Sequence, residues 1–116
     1  MKEKIFEFYL EAITEQFGLT LKELFTRSKK SAVVDARQLL YFLCIERPIK
    51  ISYLQSFLEC HDYIVTHSTI DYGYKQSKKL IESDPDFKKM ILDIQERLNA
   101  SLNDNWRIIL HFWRRS

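Results

Sequence analysis

Apolar residues recur at helical spacing along almost the whole chain. Ile5, Phe6, Tyr9, Ala12, Ile13 and Phe17 fall on one face and predict a first helix over residues 2–17. Gly18 follows, where a residue free to turn left-handed closes a helix. Thr20 and Glu23 form a T-x-x-E capping box and predict a short helix carrying Leu21, Leu24 and Phe25. Residues 27–34 have no helical apolar period and predict a connecting loop. Asp35, with Gln38 three residues on, predicts the cap of a helix from Ala36 to about Glu46. Leu39, Leu40, Phe42, Leu43 and Ile45 make that helix apolar nearly all round, which marks it as the central one. Pro48 stops it.

Ser52 and Gln55 repeat the capping pattern and open a helix with Tyr53, Leu54, Phe57 and Leu58 that reaches Cys60. The stretch His61–Val65 breaks the period and predicts a turn. Thr66 then caps a helix from His67 to about Glu82. Its inner face is Ile70, Gly73, Tyr74, Ser77 and Ile81, and its outer face includes Ser68, Thr69, Tyr72, Lys75 and Lys79. Ser83-Asp84-Pro85 opens the next helix, with a stripe of Phe87, Met90, Ile91, Ile94 and Leu98. Asn99 to Asp104 predicts a polar break. Trp106, Ile109, Leu110 and Trp113 form one more amphipathic segment before Arg114-Arg115. The expectation is an all-α, compact six-helix bundle of Trp-repressor-like form containing a helix-turn-helix. Residues 1–99 form the domain and residues 100–116 a C-terminal helical extension.

Composition narrows the function classes. The chain has 116 residues, enough for one domain with its own core, and 46% of them are hydrophobic. No apolar run approaches the ~20 residues of a membrane helix, and no signal-peptide core follows Met1-Lys2-Glu3-Lys4, so a cytoplasmic protein without a membrane partner is expected. Gly18 and Gly73 are the two glycines, too few for a P-loop or a dinucleotide turn, so no nucleotide is expected. Cys44 and Cys60 sit in helical patterns, which fits a reducing compartment. Cys60, His61 and His67, with Cys44 as a fourth, are the available metal ligands, but no C-x-x-C or H-x-x-x-H pair is present. Cys60, His61 and Asp62 are neighbours on a turn and do not converge as a nucleophile site would. No metal, cofactor or catalytic residue is therefore expected, and the chain reads as a non-enzyme.

Two features point to nucleic acid. Residues 52–82 have the order helix, turn, helix, in which the start of the second helix reaches base edges in the major groove. Thr66, His67, Ser68 and Thr69 occupy that start, and Lys75 lies two turns on. The second feature is a basic span of Arg27, Lys29, Lys30 and Arg37, opposed only by Asp35. Lys and Arg neutralise phosphates and release counterions, and a loop of this kind also reaches into a minor groove. Read structurally, Ser68 and Thr69 cap the helix and the lysines are solvated.

These segments resemble the C-terminal DNA-binding domain, domain IV, of the bacterial replication initiator DnaA, from about Ile5 to Leu98. The opening EAITEQFGLTLKELFTRSKK is similar to the family's helix, short helix and basic loop. VVDARQLLYFL is similar to its arginine–glutamine segment, and HSTIDYGYKQSKKLIESDPDF to its signature helix. The resemblance implies double-stranded DNA as partner, in replication or transcription control and in association with the nucleoid. It places Lys29 at a minor-groove arginine position, with Lys30 beside it. Arg37 and Gln38 fall on the arginine–glutamine pair, and His67, Ser68 and Thr69 on the signature histidine and hydroxyl residues. Lys75 falls on a basic position of the same helix. Tyr63-Ile64-Val65-Thr66 stands where the family has Gly-Gly-Arg-Asp, and Asp35 where many members are basic. The competing expectation is a helical protein-interaction module that has lost DNA binding. Its candidate homodimer or partner surface is Trp106, Ile109, Leu110 and Trp113.

Overall fold

The computed structural model describes the backbone of residues 2–115 and the side chains of residues 2–102. Among these there are six α-helices and no strand: α1 (Lys2–Phe17), α2 (Leu21–Leu24), α3 (Ser31–Glu46), α4 (Ile51–Glu59), α5 (His67–Ser83) and α6 (Pro85–Arg115). No described helix is long and apolar enough to cross a membrane. α3 runs through the centre and packs against all five others. Phe6, Leu10 and Ile13 of α1, Leu54 and Leu58 of α4, Ile70 of α5, and Ile91, Ile94 and Leu98 of α6 close around its Leu39, Leu40 and Leu43. Each such side chain taken from water contributes about 1.5–3 kcal/mol, before the entropy of ordering it is subtracted.

Several of the predicted stops and starts form as local chemistry requires. Gly18 is left-handed, with φ 62°. Around it Leu19 N–H bonds the Thr14 carbonyl at 2.9 Å and Gly18 N–H the Glu15 carbonyl at 3.3 Å. This pair of bonds is a Schellman termination. The Thr20–Glu23 capping box opens α2 with both of its reciprocal bonds in place. α4 ends in the same way as α1. Asp62 takes the left-handed position at φ 59°. Tyr63 N–H reaches the Leu58 carbonyl at 3.0 Å and Asp62 N–H the Glu59 carbonyl at 2.9 Å.

Three expectations are corrected. α3 begins at Ser31, not Ala36, so Asp35 is not a cap but lies inside the helix, where burial raises its carboxyl above the usual range. The reason is Val33, which is buried and stands in helical register with Ala36, Arg37 and Leu40. Ser52 and Gln55 do not form a capping box, since α4 starts at Ile51 behind Lys50 with no side-chain cap. Gln55 points elsewhere, to a carbonyl in the turn after α4. Third, α6 crosses Asn99 to Asp104 unbroken, so the extension from residue 100 continues α6 and is not a separate helix. The side chains of Trp106, Ile109, Leu110 and Trp113 lie outside the described residues.

α5 meets α3 through its smallest residues. Ile70, Gly73 and Ser77 are buried on one stripe of α5. A Cβ at Gly73 would stand 2.8 Å from Cδ2 of the Tyr41 ring and 3.3 Å from Cγ of Gln38. Tyr41 is itself buried, so its ring has nowhere to retreat. Gly73→Ala is therefore expected to lower stability by up to about 2 kcal/mol, because overpacking of about 1–3 kcal/mol exceeds the helix-propensity gain of about 1 kcal/mol over most of its range. Urea denaturation measures this, and an unchanged or higher midpoint would contradict the close approach.

Candidate nucleic-acid interface

Tyr63 is the residue around which this region is built. It follows the left-handed Asp62, which turns its side chain back toward the core, where it is buried. Phe25 packs against its ring at 5.7 Å. The guanidinium of Arg37 lies over the ring at 5.3 Å and that of Arg27 at 5.8 Å. Cation–π contacts of this kind are worth about 0.5–2 kcal/mol, more as they are desolvated. Burial raises the hydroxyl pKa of the neighbouring Tyr41, with a further upward push from Tyr63 that Arg37 partly offsets.

The two arginines then tie three segments together. Arg37 leaves the middle of α3 and is only 8% exposed. Its Nη1 donates to the Thr26 carbonyl, and its Nη2 donates to the Ser28 carbonyl at 2.8 Å. Those bonds fix the basic loop, residues 25–30. Arg27, on that loop, donates from Nη2 to the Ile64 carbonyl at 2.9 Å. Gln55 of α4 donates to the next carbonyl, that of Val65, at 2.7 Å. The backbone entering α5 is thus held from two sides, one residue before Thr66.

Thr66 caps α5 as expected. Its hydroxyl accepts the Thr69 N–H at 3.2 Å, and the two threonine hydroxyls are 2.9 Å apart. The Thr69 side chain therefore belongs to the cap. His67 and Ser68 are exposed beside it, as are Lys29 and Lys30 on the loop. Lys75 is exposed two turns along α5 and pairs with Asp71 at 2.9 Å. Ile64 at 67% exposure and Tyr72 at 60% are the large apolar groups that border the start of α5.

Arg37 and Gln38 are placed differently from the other candidates. Arg37 is occupied by loop carbonyls and the Tyr63 ring, and Gln38 is half-buried with its stem beside Gly73. Both are framework residues in this arrangement. The sequence reading takes Gln55 for half of a capping box and Tyr63 for a turn residue, and it treats Arg27 only as a positive charge, so the roles of all three are missed. The available signal was the Leu58–Tyr63 spacing of a helix-ending turn, with Asp62 as a residue that tolerates the left-handed region.

Cys44 is buried in the core and burial raises its thiol, whereas Cys60 is exposed. Among the described residues no three His, Cys, Asp or Glu side chains converge as a metal site. Compared with known protein families, curated proteins and solved structures, the chain matches none.

Replacing Arg37 with Met keeps much of its length but removes both donors. Stability is expected to fall by about 2–3 kcal/mol, the worth of hydrogen bonds from a charged donor to carbonyls left half-buried. Hydrogen exchange should quicken at residues 26–30 first. Wild-type protection of that loop in the variant would show that the guanidinium does not order it.

Proposed function

We propose that the protein binds double-stranded DNA, with α4 and α5 acting as a helix-turn-helix and the start of α5 entering the major groove. The observation that carries this reading is the bond from Arg27 to the Ile64 carbonyl. It ties the loop bearing Lys29 and Lys30 to the turn that delivers His67 and Ser68. Two DNA-facing elements far apart in sequence thereby share one part of the surface. The resemblance to the DnaA domain supports the same partner and the same two elements.

In this reading the residues divide by role. Lys29 and Lys30 engage phosphates or an adjacent minor groove and supply affinity without sequence preference. The first-turn amides of α5 that Thr66 does not take are directed at a phosphate oxygen. His67 and Ser68 reach base edges, where hydrogen bonds specify sequence. Lys75 exchanges Asp71 for a phosphate, which is a small step because an exposed ion pair is worth no more than about 1 kcal/mol. Arg37 acts at one remove by ordering the loop. A second reading, an interaction module without DNA binding, is favoured by the exposed Ile64 and Tyr72.

One set of measurements decides between them. Selection from random duplexes at moderate salt should enrich a motif. Lys29→Ala with Lys30→Ala should weaken binding to every duplex alike. It should also flatten the salt slope by about 0.9 for each phosphate that is no longer neutralised. Ser68→Ala should change the preferred motif and leave thermal stability unaltered. Failure of the wild-type chain to bind any duplex at low salt would sink the DNA reading and leave the interaction module.

A further inference from the structure

A different surface carries charge of the opposite sign. Most of one face of α1, from Glu3 to Thr14, and the start of α2 enclose an open groove of about 750 Å³. Phe8 and Leu21 give it apolar walls, and Leu21 is 47% exposed. Glu3, Glu7 and Glu11 line it at successive turns of α1, with Lys4 as the one cation among its lining residues. The three carboxylates span about 12 Å along the helix axis, at 1.5 Å per residue.

The sequence contains a segment that matches this groove in charge and length. After Asp104 the chain has no acidic residue, and it carries Arg107, Arg114 and Arg115. Trp106, Ile109, Leu110 and Trp113 recur among them at the spacing of one helical face. Arg107 and Arg114 stand about 10 Å apart along a helix.

The geometry of α6 says whose groove this segment fills. Among the described side chains of α6, the last buried one is Leu98, and Leu102 is half-buried. The helix runs on to Arg115, about 20 Å past Leu102 at helical rise. At 31 residues α6 is about 46 Å long, comparable to the 55 Å length of the molecule. An unbroken helix has no turn by which its end could fold back onto the helices behind it.

We propose that the acidic groove between α1 and α2 receives the arginine- and tryptophan-bearing end of α6 from a second copy of the chain, and that the exchange is reciprocal. Two tails in two grooves close a two-fold dimer and leave no unmatched surface to propagate. Arginine suits the site because its planar fork binds carboxylates in pairs. The dimer does not depend on the DNA reading.

Trp106 and Trp113 are the two tryptophans of the chain, so its tryptophan emission reports this segment and nothing else. Light scattering on the full chain should find a dimer, with emission that shifts to the red on dilution. Glu3→Arg with Glu11→Arg, sparing the Glu7 that meets His61 at 3.3 Å, should weaken association at least tenfold. Arg107→Glu with Arg114→Glu should do the same. An equimolar mixture of the two variants should recover the dimer, since each reversed groove then meets a reversed tail. A wild-type monomer at every concentration overturns the proposal, as does a dimer that survives both reversals or a mixture that stays apart. If either variant loses its helical circular dichroism, a salt titration of the wild-type dimer decides: dissociation with added salt supports the proposal, and indifference overturns it.

Discussion

The architecture depends on how closely α5 can approach α3. Gly73 sets that distance, because the Tyr41 ring and the Gln38 stem occupy the space a side chain would need. Ser77, one turn on and fully buried, continues the small stripe. With the two helix backbones this close, Ile70 reaches the core and the outer face of α5 stays polar. The same approach fixes the direction in which the start of α5 points. A larger residue at position 73 would tilt that end, so a packing constraint in the core becomes a constraint on the surface.

From that crossing the order passes outward through Tyr63. The Schellman turn after α4 buries its ring, and two guanidinium groups lie over it. Arg37 holds the basic loop, Arg27 holds the turn, and Gln55 holds the carbonyl beside it. A loop of this kind, lacking any apolar anchor except Phe25, would otherwise sample many conformations. Here it is fixed through its backbone carbonyls, which leaves the side chains of Lys29 and Lys30 unencumbered.

Where local chemistry alone decides an element's end it was legible in the sequence. The capping box at Thr20, the left-handed Gly18 and the Thr66 cap of α5 are all of this kind. The equally local pairs Asp35–Gln38 and Ser52–Gln55 do not cap, because burial of Val33 and an earlier start at Ile51 move those helix starts. The start of α3 was not legible, because Lys30-Ser31-Ala32-Val33-Val34 has modest helix propensity and becomes helical through the burial of Val33. The continuity of α6 was hidden in the same way by polar residues that a helix tolerates at small cost. The role of Arg37 could not be read at all: its acceptors are backbone carbonyls, and its stacking partner Tyr63 is distant in sequence. Composition shows an arginine in a basic span, whereas only the fold shows where its five donors go.

This division between arginine and lysine explains how a chain of net charge +2 can still present a basic face. Arginine's rigid fork can satisfy several carbonyls at once and is weakly hydrated, so Arg37 can be buried and Arg27 can brace a turn. Lysine is a strongly hydrated point charge on a flexible stem, and Lys29, Lys30 and Lys75 all remain exposed. Meanwhile Glu3, Glu7 and Glu11 gather on α1. The sum over the chain is nearly neutral because 18 Lys and Arg nearly balance 16 Asp and Glu, yet the opposite charges gather on different surfaces. Association is governed by the local field within about one Debye length, roughly 8–10 Å at physiological salt, and not by that sum. A near-neutral total is therefore no argument against a polyanionic partner, and it leaves room on the same small molecule for a cationic one.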